Sequence, residues 1–308
     1  MPGAGRAIAG VVIAVAAALA LFLAVRGQGE AHPPAAAGAG PAGIGGISQA
    51  SGTGSGAAVP ARSANPLSGA AASYVASRSG DVLAAVYDVR TGQSWRLGDG
   101  PAQPEASVVK LDILETLLAR QEDTGLSPGD KSLSKTMIED SDNDAATSLW
   151  QEAGGAVGIG SYNDSAGLSK TTPSACLTCA GFAWPGWGLT TTVPQDQLTL
   201  LKQLVVPGAR PLLSDAQRSY VLSLMRNVAP GQRWGVSGGI PSGVRVALKN
   251  GWLPLNDAGT DWQVNSVGWV SGDGRDYLMA VFTTGNPTEQ YGIDTINALS
   301  SRIWSAMR

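Results

Sequence analysis

The sequence predicts an α+β fold, in which strands from both ends of the folded part form one antiparallel sheet and a helical subdomain is inserted between them. A hairpin-like pattern of apolar strands lies at residues 81–100, and three more strand-like segments lie after residue 243. Apolar residues recur at helical spacing through most of the chain between them. The strands lie at the two ends of the folded part and do not alternate with helices. The pattern therefore favours a sheet layer and a helical layer with a cleft between them.

The chain before the folded part contains one long apolar run. Ala7–Val25 is 19 residues without a charge, which is enough to span a bilayer as a helix. We therefore expect residues 1–26 to be a short tail and a transmembrane signal anchor, with a cleaved signal peptide as the alternative. Residues 27–67 are dominated by Ala, Gly, Pro and Ser and predict a disordered tether. The folded domain should occupy residues 68–308 outside the cytoplasm, tethered to the cell membrane or secreted.

Composition excludes several functions. The formal net charge is −3 and no basic block is present, which argues against nucleic acid as a partner. The single histidine, His32, lies in the predicted tether, so the folded domain lacks Ser-His-Asp and Cys-His chemistry. Cys176 and Cys179 lie among loop-forming residues, and we expect a local disulfide or two free thiols rather than a redox or metal site. We expect a monomer without metal or cofactor.

The predicted strands follow from short apolar runs bounded by turn residues. The hairpin consists of residues 82–87 and 94–97, joined at Thr91-Gly92. The later strands, with a turn at 272–274, are residues 244–248, 261–270 and 277–284.

The predicted helices have apolar residues at intervals of three and four. They cover residues 107–121, 134–139, 142–153, 193–205, 214–227 and 288–307. Between two of them, residues 167–192 form a long irregular stretch rich in Gly, Pro and Thr.

The helix that follows the hairpin begins with "ASVVKLDILETLL", in which Ser107 and Lys110 are three residues apart. Residues at this spacing share one helix face. A lysine amine kept from water has a lowered pKa and can act as a neutral base for a serine hydroxyl. The motif alone is weak, because Ser132 and Lys135 match it as well, near loop signals.

Two further motifs follow in order. Ser141-Asp142-Asn143 precedes a predicted helix, where a structural N-cap is an equally good explanation. Lys249-Asn250-Gly251 follows a predicted strand, where a turn would explain it.

Together, the three motifs resemble the S-x-x-K, S-D-N and K-T-G set of class A β-lactamases and penicillin-binding proteins. The segments "YDVRTGQSWRLGDG", "GLTTTVPQDQLTLLKQLV" and "YLMAVFTTGNPTEQYGIDTINALSSRIW" extend the similarity over residues 68–308. The resemblance implies a β-lactamase/transpeptidase-like fold and acyl-transfer chemistry.

The resemblance also implies a role for each matched residue. Ser107 would be the acylated nucleophile, Lys110 its base, and Ser141 the proton donor to the leaving nitrogen. The residues expected to bind substrate are Asn143, Lys249, Asn250, Gly251 and Trp252. Asn143 would bind the substrate amide and Lys249 its carboxylate, and the backbone N–H groups of Ser107 and Trp252 would form an oxyanion hole.

Two departures from the family pattern limit the expected activity. Asn250 stands where the family mostly has Thr or Ser, although an amide can also donate to a carboxylate. The family's deacylating glutamate has no counterpart, because residues 165–192 contain neither Glu nor Asp. In that stretch Trp184 and Trp187 are expected to pack rather than to contact a ligand. Turnover of a β-lactam ester should therefore be slow.

The sequence therefore predicts an exported serine hydrolase that forms an acyl-enzyme at Ser107. Its substrate would be a β-lactam or a D-alanyl peptide derived from peptidoglycan, and its membrane contact would be Ala7–Val25. Two alternatives stay open: a non-catalytic module that binds cell-wall fragments or a protein partner, and a Ser-Lys esterase.

Overall fold

The structure is a computed structural model that describes residues 64–121, 125–180, 184–206, 208 and 211–307. The predicted membrane segment Ala7–Val25 and nearly all of the predicted tether lie outside these residues. Across the described ranges, every helix is too short or too polar to span a bilayer.

One five-stranded antiparallel sheet forms the centre of the fold, with strand order β2-β1-β7-β6-β5. Its strands are β1 (Asp81–Asp88), β2 (Ser94–Leu97), β5 (Arg245–Pro254), β6 (Trp262–Gly272) and β7 (Arg275–Asn286), and two short strands, β3 (Gln103–Pro104) and β4 (Thr191–Thr192), pair separately. Strands from both ends of the domain thus meet in one sheet, which confirms the predicted α+β class. Because β5 is an edge strand, one side of its backbone is free to face the cleft.

Eight α-helices surround the sheet in the described residues. They are α1 (Ala70–Ala76), α2 (Val109–Arg120), α3 (Pro128–Lys135), α4 (Asn143–Glu152), α5 (Gly155–Ala166), α6 (Pro194–Val205), α7 (Asp215–Arg226) and α8 (Glu289–Ala306). Helices α1 and α8 pack together on one face of the sheet, and α6 and α7 lie against the opposite face with α2 behind them.

Both faces of the sheet are buried, as the side chains of β1 illustrate. Leu83 and Ala85 belong to the apolar core shared with α2, whereas Val82, Ala84 and Val86 belong to the core beneath α8. Successive residues of a strand point to opposite faces. A strand covered on both sides is therefore apolar throughout, which explains the continuous run "VLAAV".

Helix α1 and the short strands β3 and β4 were not predicted, and three further elements differ from the sequence-based predictions. Helix α5 was not predicted, because its "GAVGIG" start has a low helix propensity; it is held by packing on α2, where Tyr162 Oη donates to Glu115 Oε2 at 2.8 Å. Helix α3 begins at Pro128, six residues before the predicted start, because Ser127 caps it by accepting from Asp130 N. Its "SPGD" signal marks a helix N-terminus and not a loop.

The third difference bears directly on the site. Strand β5 continues to Pro254, so Lys249-Asn250-Gly251 lie inside a strand rather than at its end. The prediction of a strand-end position was wrong because the following residues, Trp252 and Leu253, keep pairing with β6. The motif is therefore held rigidly by the sheet.

Candidate active site

Ser107 lies in a single 3-10 turn, Ala106–Val108, that leads into α2. It is partly buried and lines a cleft with Asn143, Trp184, Trp187 and Trp252. The residue before it, Ala106, has a φ of 51°, a left-handed conformation that non-glycine residues rarely adopt. Backbone strain of this kind persists only where the surroundings enforce it, and it is common at functional sites.

Lys110 lies in the first turn of α2 and is completely buried. Its Nζ donates to Ser141 O at 2.6 Å and to Asn143 Oδ1 at 2.7 Å, and it lies 3.1 Å from Ser141 Oγ. Burial lowers the pKa of Lys110 to about 7, although the nearby Asp142 carboxylate acts in the opposite direction. A large fraction of this amine is therefore neutral at neutral pH, as a general base requires.

Ser141 connects the two lysines of the site. It follows a π-helical turn, Thr136–Asp140, and has a left-handed φ of 61°. Its Oγ lies 3.1 Å from Lys110 Nζ and 2.9 Å from Lys249 Nζ. A hydroxyl can accept from one amine and donate to the lone pair of the other, so Ser141 is placed to pass a proton between them.

Lys249 is only 1% exposed. Its Nζ donates to Ser141 Oγ and to Asn250 O, both at 2.9 Å. Burial, with the Lys110 charge as a second cause, lowers the pKa of Lys249 well below its ordinary value. Two amines that share one buried hydroxyl are not both stable as cations, because like charges at this distance disfavour each other.

Asn250 is turned away from the cleft. Its Nδ2 donates to Gln232 O at 2.7 Å and to Trp234 O at 3.3 Å, and its Oδ1 accepts from Ser266 Oγ at 2.6 Å. Ser266 Oγ in turn accepts from Val236 N, which fixes the orientation of the amide. The expectation that Asn250 donates to a substrate carboxylate does not fit this arrangement, in which it ties residues 232–236 to the sheet.

Gly251 lets the edge strand approach the nucleophile. A Cβ at this position would lie 2.7 Å from both Ser107 N and Glu105 O and 2.8 Å from Val108 N. Those distances are shorter than any side chain tolerates, so only glycine allows β5 to pass here. The next residue, Trp252, is half-buried and packs edge-on against Trp234, with ring centroids 5.9 Å apart.

The irregular stretch between α5 and β4 covers the cleft with aromatic side chains. Trp187 is 5% exposed and lies in a 3-10 turn, Gly186–Leu189. Its ring centroid is 5.1 Å from Lys110 Nζ, and its Nε1 donates to Thr147 Oγ1 at 3.2 Å. Cys176 and Cys179 form a disulfide in the same loop. Trp187 is packed, as predicted, and the residue that its ring packs against is Lys110.

The two acids nearest upstream of that stretch in the sequence lie away from the cleft. Glu152 and Asp164 are both exposed, and Glu152 accepts from Gln121 Nε2 at the far end of α2. Among the described residues, none that lines the cleft beside Ser107 is acidic.

Sequence reasoning missed two buried acids next to the nucleophile. Glu105 and Asp112 are both completely buried, and neither oxygen of Glu105 has a hydrogen-bond partner among the described residues. Burial, with the neighbouring carboxylates Asp112 and Asp196, raises the pKa of Glu105 well above its ordinary value. Burial also raises the pKa of Asp112 to about 7. The sequence signal for these buried acids was their position within apolar sequence. One acid lies two residues before Ser107 and the other lies two residues after Lys110.

Comparison with protein families gives a match over residues 131–307 to the Beta-lactamase enzyme family. This range is more than half of the chain and includes the second and third motifs. The chain belongs to the Beta-lactamase enzyme family.

The relatives of this β-lactamase-family protein agree on the fold. Structures similar to it include the TLA-1 extended-spectrum β-lactamase, with 18% identity, coverage of 76% of this chain and 95% of that chain, and a TM-score of 0.66. A class A β-lactamase from Mycobacterium abscessus has 22% identity, coverage of 76% and 96%, and a TM-score of 0.63. At these identities the similarity shows the fold alone.

Curated relatives of this β-lactamase-family protein carry a different kind of name. "Putative lipoprotein LppW" from Mycobacterium tuberculosis and from Mycobacterium bovis is 28% identical over 204 residues, or 64% of this chain. The chain spans about three fifths of the length of these relatives, 61%.

Proposed function

We propose that this protein is a serine acyl-transfer enzyme in which Ser107 becomes acylated. The observation that supports it best is the hydrogen-bonded cluster of Lys110, Ser141, Asn143 and Lys249, within which Lys110 has a pKa of about 7. Lys110 Nζ has Ser141 and Asn143 as hydrogen-bond partners and not Ser107 Oγ. Catalytic hydrogen bonds are often long in the free enzyme and tighten in the complex.

Acylation would use Ser107 together with Lys110 and Ser141 of the cluster. Ser107 Oγ attacks the carbonyl carbon of the substrate while its proton passes to the neutral amine of Lys110. Backbone N–H groups of Ser107 and Trp252, adjacent because of Gly251, stabilise the oxyanion. The bond between the carbonyl carbon and the leaving nitrogen then breaks, and that nitrogen takes the proton of Ser141. Lys110, 3.1 Å from Ser141 Oγ, replaces this proton with the one that it took from Ser107 and becomes neutral again.

We propose β-lactams and peptidoglycan-derived D-alanyl peptides as the substrate class, with slow release of the β-lactam product. Slow release follows from the absence of Glu and Asp in residues 165–192. We further propose the domain order anchor or signal peptide (1–26), tether (27–67) and hydrolase domain (68–308), with the domain outside the cytoplasm. The lipoprotein name of the mycobacterial relatives is consistent with attachment at the cell envelope.

A Ser-Lys esterase is the second candidate, and the orientation of Asn250 favours it. Its amide is occupied by backbone carbonyls, and Lys249 is buried, so neither residue offers a free donor to a substrate carboxylate. A neutral ester would need no such donor, whereas penicillins and D-alanyl peptides carry a carboxylate.

The test is the intact mass of the full chain after incubation with benzylpenicillin or with a neutral p-nitrophenyl ester. We expect a stable increase equal to the whole β-lactam, because ring opening releases no fragment. Ser107→Ala should abolish the adduct, and Ser132→Ala, at the second Ser-x-x-Lys match, should leave it unchanged. An adduct with the ester alone would favour the esterase. If neither probe labels the wild-type chain, the acylation proposal is wrong. The alternative that then remains is a non-catalytic module that binds cell-wall fragments or a protein partner.

A further inference from the structure

Among the described residues, an indole rather than a carboxylate lies against Lys110 on the side that faces the loop. The Lys110 ammonium has oxygen partners from Ser141 and Asn143 on the α4 side. The Trp187 ring lies 5.1 Å from Nζ, and the lysine is 0% exposed. The amine that would take a proton from Ser107 is therefore shielded from the solvent by Trp187 and its neighbours.

Two sets of contacts hold Trp187 in this position. On the α4 side, its Nε1 donates to Thr147 Oγ1, and that hydroxyl donates to Asn143 O at 2.9 Å. The indole is thus tied to the same turn of helix that supplies Asn143 to the cluster.

On the loop side, the disulfide loop fixes the residue before Trp187. Gly186 N donates to Cys176 O at 2.7 Å, and a Cβ on Gly186 would lie only 2.4 Å from Cys179 Sγ. The Cys176–Cys179 disulfide therefore packs against the backbone that positions the indole.

We propose that Trp187 is a positioning residue that excludes water from Lys110 and so makes the acyl-enzyme long-lived. The proposal rests on the acylation of Ser107 proposed above and extends it to the fate of the ester. It attributes the slow release of the acyl group to one side chain. The sequence alone suggests slow release only because residues 165–192 contain neither Glu nor Asp.

The reaction that Trp187 would prevent is hydrolysis with Lys110 as the base. A water oxygen would attack the acyl carbon while one of its protons moves to Lys110 Nζ. The bond from that carbon to Ser107 Oγ would then break. Ser107 Oγ would take up the proton that Lys110 received from the water. A general base contributes about 10²–10⁴-fold to such a step, so access of water to the amine should have a large effect on the lifetime.

The experiment separates formation and decay of the adduct in the full chain. Wild type, Trp187→Ala, Trp187→Phe and Trp184→Ala are labelled with benzylpenicillin, freed of excess probe and followed by intact mass. We expect Trp187→Ala still to be labelled and to lose its adduct about tenfold faster or more than wild type. Trp187→Phe should keep the long lifetime, because a phenyl ring still covers the amine.

The matched control, Trp184→Ala, removes a second aromatic side chain of the same cleft, whose ring centroid is 6.4 Å from that of Trp187. Its adduct should decay as slowly as that of wild type. A damaged fold would slow both steps, so faster decay with normal labelling is not a result of misfolding, and circular dichroism checks the fold of each variant.

Three results would overturn the inference. Equal lifetimes in wild type and Trp187→Ala would show that Trp187 does not control water access. A folded Trp187→Ala that is not labelled, while wild type is, would give Trp187 a role in acylation instead. Equally fast decay in Trp184→Ala would make the effect a general loosening of the cleft. Failure of the wild type to label is a separate outcome and refers to the proposed acylation itself.

Discussion

The chain contains the same four-residue pattern twice, at the start of α2 and on α3, and the two copies have different surroundings. Lys110 is completely buried with three oxygen contacts. Lys135 has a 65% exposed side chain and only a long ion pair of 4.0 Å with Glu139. Its partner, Ser132, is exposed. Spacing brings serine and lysine to one helix face in both cases, but only burial lowers a lysine pKa enough to make a base.

The test of this comparison with the largest expected effect replaces each lysine with methionine. Lys110→Met should lower the acylation rate by about 10²–10⁴-fold, because the base is lost. Lys135→Met should leave it unchanged, since an exposed ion pair contributes little. Stopped-flow labelling with a fluorescent penicillin measures both rates. Equal effects of the two substitutions would contradict the distinction between the buried and the exposed pair.

Strand β5 lies beside Ser107 of the buried Ser-x-x-Lys pair. The exposed pair on α3 lacks this neighbour. Gly251→Ala should displace β5 from the Ser107 turn, because its Cβ would meet backbone atoms at 2.7–2.8 Å. We expect acylation to fall by about 10²-fold, the typical cost of a small misplacement of reacting groups. Gly231→Ala is the control, because a Cβ there meets nothing within 4 Å. Normal labelling of Gly251→Ala would show that the close approach is not needed.

Helix α2 also contains a buried acid whose ionisation depends on the fold. Asp112 on α2 is buried, with a pKa raised to about 7, which is above its value in the unfolded chain. Between those two values the unfolded chain releases a proton that the native protein keeps, so Asp112 lowers stability as pH rises. Asp112→Asn should reduce the loss of unfolding free energy between pH 5 and pH 8 by about 2–3 kcal/mol.

Denaturant unfolding of the full chain at both pH values measures this difference. A pH dependence that is the same in wild type and in Asp112→Asn would mean that Asp112 ionises normally in the fold.

The smallest effect concerns the pH profile of labelling. Only the neutral amine of Lys110 accepts a proton, so the acylation rate should rise with pH and level off above about 7. The Asp142 carboxylate raises the pKa of Lys110, and Asp142→Asn should therefore move the rise to lower pH by a fraction of a unit. Asparagine can still cap α4 as Asp142 does, which preserves the helix. Exposed Asp144→Asn is the control, and a shift to higher pH in Asp142→Asn would contradict the assignment.

Much of the site was predictable from the order of motifs. Ser107, Lys110, Ser141 and Lys249 were all selected from the sequence, and the structure brings them together, with Lys110 and Lys249 both bonded to Ser141 Oγ. Their roles stay predictions that the experiments above test. The substrate contact expected of Asn250 also stays a prediction. A strand pattern does not reveal which partner a buried amide will find, and in the structure the partners are backbone carbonyls eighteen and sixteen residues away.

The sequence by itself determined the α+β class, the sheet built from both ends of the domain, the helix that follows Ser107 and the absence of an acid in residues 165–192. These depend on local periodicity and residue identity, which need no knowledge of distant contacts. Only the tertiary structure decided which of two Ser-x-x-Lys pairs is buried, where the amide of Asn250 points, and that Trp187 lies against Lys110. Burial and orientation arise from segments far apart in the chain, and they set the pKa values and water access on which the chemistry depends.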